Sequence, residues 1–269
     1  MTNTLRQMQI EYGDFQTPLE LAKRVCQKLD KLGVSPVTVI EPTCGVGAFV
    51  EASAITFPAA KKIIGVEVNK VYLNELENRK KRFFHSERIS LLHGDFFDFN
   101  WKNLFDVEGS LLVIGNFPWV TNSQQGAIGG ANLPTKINFQ NHNGFDAITG
   151  KSNFDISEWM LMQTASWLKN RKGYLAMLCK TSVARKFLSH LHSEKIGVLG
   201  SAIYGIDAKH YFDVSVDACL LFCEFDARSH NYDYDVYESI ESINSQRVGH
   251  RNGMTVRDLD TFERLSKYY

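Results

Sequence analysis

The chain has no CxxC pair, no excess of either charge sign, and no apolar run near the roughly 20 residues needed to span a bilayer. Its five cysteines (Cys26, Cys44, Cys179, Cys219, Cys223) are odd in number and lie mostly in apolar runs. Neither a disulfide framework nor a zinc set is indicated, so most of them read as buried small hydrophobes and no metal is expected. Thirty basic residues balance thirty acidic ones, which argues against strong autonomous nucleic-acid binding. The polar start MTNTLRQMQIEYGDF lacks the apolar centre of a signal peptide, giving a cytoplasmic expectation with no membrane partner. No internal repeat or low-complexity segment stands out.

What is present is an alternation. Pro18 opens an amphipathic helix with Leu19, Ala22, Val25, Cys26 and Leu29 on one face and Thr17 as N-cap. Short apolar runs follow at VTVIE (37–41), KIIGVEV (62–68), RISLLHGD (88–95), SLLVIGN (110–116) and YLAMLCK (174–180), separated by helical patterns. Such runs build a parallel sheet covered on both faces. KIGVLGSAIYG, DACLLFCEF and YDYDVYES lack long helices between the last two, which predicts an antiparallel addition at one edge. Residues 120–152 are rich in Gly, Asn, Gln and Ser and show no period, as functional loops often do. The basic run Arg79 to Arg82 reads as a solvated helix end or a phosphate contact.

Three places carry chemistry. In EPTCGVGAF a strand-ending acid, Glu41, precedes Gly45 and Gly47 and a helix start, the way a nucleotide-like ligand meets strand ends. A dinucleotide fingerprint would need a third glycine where Val50 stands, which disfavours NAD. Glu67 ends the next strand, where an acid accepts from ribose hydroxyls. Asp95 follows the third strand, where it can accept from an adenine amino group while Phe96 packs on the base; its alternative use is as a turn cap.

EPTCGVGAF, GVEVNK, GDFFDF and IGNFPW resemble, in this order, the cofactor and catalytic motifs of amino-group DNA methyltransferases. DFQTP (14–18) is similar to the F-x-T/G-P motif that precedes them in the gamma arrangement of the family. The resemblance covers roughly residues 12 to 226 and identifies the chain with gamma-type, restriction–modification N6-adenine enzymes. It implies a class I methyltransferase fold, α/β and doubly wound, with a mostly parallel seven-stranded Rossmann-like sheet and an antiparallel edge hairpin. It implies S-adenosylmethionine as cofactor, with Phe15, Thr17 and Pro18 at the methionine end, Gly45 and Gly47 at the close approach, Glu67 on the ribose, and Asp95 and Phe96 on the adenine. Glu41, Pro42, Cys44, Phe49, Asn116 and Pro118 complete the expected cofactor surroundings, and Ile156 and Trp159 wall the pocket.

GNFPW (115–119) resembles the family's (N/D/S)-P-P-(Y/F/W) motif. A conjugated amine is a poor nucleophile because its lone pair is delocalised into the ring. The Asn116 side-chain oxygen and the Phe117 carbonyl would accept from its two N–H groups, with Pro118 stiffening the turn and Trp119 stacking on the flipped base. Position 117 is Phe where the family has Pro, so proline's stiffness is lost there. Phe212, or alternatively Tyr211, is expected to complete the base pocket, and Lys136, Lys151 and Asn153 to contact double-stranded DNA. The expected domains are a catalytic unit over 1–240 and, over 241–269, a tail or the start of a recognition domain, with recognition supplied by a domain or restriction subunit outside this chain. N4-cytosine methylation, protein-glutamine N5 methylation and a degenerate partner subunit are the alternatives.

Overall fold

The computed structural model describes residues 15–83, 85–105, 108–119 and 155–267. In chain order these form α1 (Leu19–Lys31), β1 (Thr38–Glu41), α2 (Ala48–Thr56), β2 (Lys62–Glu67), α3 (Lys70–Lys80), β3 (Ile89–His93), the short α4 (Lys102–Phe105) and β4 (Leu111–Asn116). Then come α5 (Ile156–Leu168), β5 (Gly173–Lys180), α6 (Thr181–Ser193), β6 (Val198–Ile206), α7 (Ala208–Phe212), β7 (Ala218–Phe225), β8 (Tyr234–Tyr237), β9 (Ser245–Arg251), β10 (Met254–Val256) and α8 (Leu259–Leu265).

Period two along each strand divides the core in two. In β4, Leu112 and Ile114 face the layer built on α1 and α2, while Leu111 and Val113 face the layer of α5 and α6. Because both faces are covered, the strands read as unbroken apolar runs. Each such buried leucine contributes about 1.5–3 kcal/mol.

The sheet has ten strands in the order β10-β9-β8-β6-β7-β5-β4-β1-β2-β3. Strands β1 to β5 pair in parallel, and β7 runs antiparallel between β5 and β6. The expected seven-stranded doubly wound sheet is therefore present, with the reversed strand β7 second from one end of the seven, and three further strands extend it beyond β6. β8 joins β6 in parallel, and β9 and β10 follow antiparallel. No break in the sheet falls at residue 240, and α8 buries Leu259 completely.

The first helix is fastened to this extension. Arg24 of α1 pairs with Glu241, and Lys28 lies over the stacked rings of Tyr204 and Tyr237, 4.6 and 5.4 Å from their centroids. Thr17 is not its N-cap: Pro18 occupies that position in an extended conformation, and no side chain caps the helix. All five cysteines are free and buried. Among the described residues no helix is long and apolar enough to cross a membrane, and no group of three or more side chains is arranged to hold a metal ion.

Candidate active site

The turn between β1 and α2 is held from several directions. Gly45 and Gly47 have φ of +50° and +83°, left-handed values that glycine adopts without strain. Gly47 is the N-cap of α2, and a Cβ there would sit 2.4 Å from the Leu76 side chain. The Glu67 carboxylate accepts from the Gly45 and Asn69 N–H groups, both at 2.7 Å. Gln16 Oε1 accepts from Val46 N–H at 3.0 Å, and Arg79 donates to the Val46 carbonyl at 3.0 Å while pairing with Glu51. Arg79 is thus no solvated helix end. It braces the turn.

Beneath the turn, Glu41 is buried and accepts from the Val50 N–H at 2.9 Å. Burial pushes its carboxyl well above the usual range, and the nearby Glu67 charge adds to this while the Val50 bond opposes it. Burial also raises the Cys44 thiol, with Glu41 and Glu67 reinforcing it, so no thiolate forms beside the turn. Pro42 and Phe49 are buried in the same corner.

At the end of β3, Asp95 is exposed and its Oδ1 accepts from the Phe97 N–H at 3.0 Å, the turn-capping use of aspartate. Phe96 is buried at the centre of five rings: Phe97, Trp101, Phe117, Trp159 and Trp167. The half-buried ring of this turn is Phe97, which stacks on Trp159 at 5.1 Å. Ile156, at the start of α5, is buried in the same cluster. The sequence points to Phe96 alone, since two adjacent phenylalanines give no signal as to which one turns inward.

Asn116 is the last residue of β4. Its Nδ2 donates to the Phe15 main-chain carbonyl at 3.0 Å, and its Oδ1 is buried with no hydrogen-bond partner among the described residues. The Thr43 hydroxyl donates to the Asn116 carbonyl at 3.4 Å. Phe117 is only 1% exposed and packs edge-on against Phe96, ring centroids 5.4 Å apart. The stiffness that proline would give this position comes instead from a ring anchored in the core. Half-buried Pro118 then leads to Trp119, which closes against Phe212 at 5.1 Å and Phe15 at 5.9 Å. Trp119 is 5% exposed, edge-on to Phe212 and tilted 45° to Phe15, so its face is covered in this structure.

Of the two alternatives on α7, Phe212 joins this triangle, whereas the Tyr211 hydroxyl accepts from Arg24. The structure thus brings Phe15, Asn116, Trp119 and Phe212 together, with the Gly45–Gly47 turn joined to them through Gln16. Gln16 gave no signal because it stands at the variable position of its motif. Lys136, Lys151 and Asn153, with the rest of 120–154, lie outside the described residues. At the far side of that gap Asp155 caps α5 and pairs with Lys180, the last residue of β5, at 2.8 Å.

A parallel sheet with its reversed strand beside β5, and a glycine turn leading from β1 into a helix, define the class I methyltransferase fold. A class I S-adenosylmethionine-dependent methyltransferase fold from Listeria monocytogenes is similar at TM-score 0.57 and 15% identity, over 84% of this chain and 67% of that one. The methyltransferase subunit of a type I restriction–modification system from Streptococcus thermophilus is similar at TM-score 0.55 and 16% identity, over 95% of this chain and 53% of that one. No protein-family model matches the chain. In sequence the chain is a homologue of the type II methyltransferase M.NspV of Nostoc sp., 50% identical over 270 residues. The match takes in 100% of this chain and 56% of that protein, so the chain spans little more than half its relative's length.

Proposed function

We propose that the chain is the catalytic part of a DNA methyltransferase of a restriction–modification system, using S-adenosylmethionine to methylate the N6 amino group of an adenine turned out of double-stranded DNA. The observation that carries this reading is Asn116: its NH2 group is engaged, and its buried oxygen has no hydrogen-bond partner among the described residues. A buried acceptor without a partner costs a fold stability, and the N–H of a bound amine would satisfy it.

The residues fit the proposed cofactor. The Gly45–Gly47 turn gives a close backbone approach at the start of α2, and Glu67, held at the end of β2 by the Gly45 and Asn69 N–H groups, is the acid that would accept from the ribose hydroxyls. Phe15, Thr17 and Pro18 would line the methionine end, with Asp95 and the Phe97 ring at the adenine. When bound, S-adenosylmethionine supplies an electrophilic methyl group on a sulfonium centre.

The chain's own residues supply the rest. The Asn116 oxygen and the Phe117 carbonyl would accept from the two N–H groups of the target amine, drawing the nitrogen toward tetrahedral geometry and localising its lone pair. Acceptors fixed beforehand need no reorganisation at the moment of reaction, and the buried Phe117 ring holds the second of them in place. Trp119, with Phe212 and Phe15, would hold the base by stacking once an edge contact opens. Reading of the target sequence by a further domain or subunit belongs to the same proposal, since the chain carries no basic excess.

The test is to incubate the protein with unmethylated duplex DNA and cofactor labelled in the methyl group, hydrolyse the DNA, and identify the labelled base. N6-methyladenine is the expected product. N4-methylcytosine would move the assignment to the other exocyclic amine, and unlabelled DNA would refute it.

A further inference from the structure

We propose that the main-chain carbonyl of Phe15 sets which way the Asn116 side chain faces, and that this is why position 116 carries an amide and not an acid. The proposal rests on the amine-clamp reading above and deepens it. A carbonyl oxygen can only accept, so the group 3.0 Å from it must be the NH2 of Asn116, and Oδ1 is thereby turned the other way. The Oδ1 so placed is buried and unpaired among the described residues.

The carbonyl that does this is itself fixed. Gln16 holds the Val46 N–H of the glycine turn, the Phe15 ring packs on Trp119 and Phe212, and the Pro18 carbonyl accepts from Ala22 to begin α1. The extended segment 15–18 therefore spans from the glycine turn to the amine clamp and acts as a positioning element for Asn116. A carboxylate at position 116 would be the stronger acceptor for an amine, but it has no proton for the Phe15 carbonyl, and two acceptor oxygens would face each other. A protonated carboxyl repairs this, since its O–H can donate to Phe15 while its C=O remains for the amine.

The consequence has a sign. If the Phe15 carbonyl orients the clamp, Asn116→Asp works only in its protonated form, and its activity rises as pH falls. If the carboxylate clamps the amine without help, activity rises with pH. Methyl transfer to duplex DNA is measured for wild type and Asn116→Asp between pH 5.5 and 8.5. The expected ratio of variant to wild type is below about one hundredth at pH 8 and recovers by about tenfold per pH unit on acidification, the slope of a single proton. A ratio that is flat, or that rises with pH, overturns the proposal.

A second measurement does not depend on the function. The side-chain amide resonance of Asn116, identified by its disappearance in Asn116→Asp, should exchange slowly with solvent, and fast exchange of both its protons overturns the proposal. Should wild type methylate no DNA at any pH, the functional reading fails, and this exchange rate alone tests whether the NH2 group is held.

Discussion

Replacing Glu67 by glutamine exchanges one oxygen for an NH2 group with almost no change of shape, yet the two N–H groups that meet the native carboxylate are both donors. Gly45 N–H and Asn69 N–H each reach a different oxygen at 2.7 Å, and the side chain is buried. Glutamine can satisfy one of them. Its NH2 group then faces the other N–H, so a charge-assisted bond of about 1.5–3 kcal/mol is lost and a buried donor is left unpaired at about 1–3 kcal/mol. Relief from burying a charge offsets part of this, so the expected net loss is about 2–4 kcal/mol. Urea denaturation should place Glu67→Gln close to Glu67→Ala and well below wild type. Calorimetry with S-adenosylmethionine or its demethylated product should show affinity weakened about tenfold or more, because Gly45 loses the bond that fixes its turn. A Glu67→Gln protein within about 0.5 kcal/mol of wild type, with unchanged cofactor affinity, would refute the reasoning.

Further expectations concern the same corner and the aromatic triangle. Burial raises the folded-state pKa of Glu41 above its unfolded value of about 4.3, so its contribution is complete below that pH and is lost as pH rises toward the folded pKa, by up to about 1.4 kcal/mol per unit. Glu41→Gln keeps an acceptor for Val50 N–H and should flatten this fall; equal slopes in urea midpoints between pH 5 and 8 for both proteins would contradict it. Gly47→Ala should cost about 1–2 kcal/mol for its left-handed φ and about 1–3 more for displacing the buried Leu76, and a measured loss under about 1 kcal/mol would show that the turn yields. Trp119→Ala should weaken capture of the base by about 1–3 kcal/mol, read as a higher KM for DNA at unchanged cofactor affinity. Phe212→Ala should act in the same way, while Tyr211→Phe leaves KM for DNA where it was; the reverse pattern would assign the pocket to Tyr211.

The strands of the parallel half were legible because burial on both faces leaves the same mark on each, an unbroken β-branched or leucine-rich run such as Leu111 to Ile114. The glycine turn was legible because left-handed φ values restrict residue type. β9 was not: SQRVGHR buries only Val248 and Gly249, and a largely polar edge strand has no apolar run to announce it. β10 has three residues, all partly or fully exposed, and is defined by its partner strand alone. Long-range hydrogen bonds were equally hidden. Nothing in the local sequence of Gln16 or Arg79 says that both reach Val46, and Arg79 sits in a run whose charge pattern suits open water. At position 117 the sequence announced a missing constraint, whereas the packing that replaces it depends on Phe96 and on where Trp101, Trp159 and Trp167 come to lie.

The rings of the aromatic triangle come from positions 15, 119 and 212, and the helix that follows Phe15 is tied down at Glu241. During synthesis, then, a nascent chain can already have its first four strands and the glycine turn outside the ribosome while the triangle has no third side. Pairing of such distant segments is the slow part of folding, because the loop between them must be closed before the contact repays it. The order of assembly thus runs from a turn built of near neighbours to an aromatic triangle that waits for α7. A growing or truncated chain that stops short of α7 would have its glycine turn with Phe15 and Trp119 lacking their third ring.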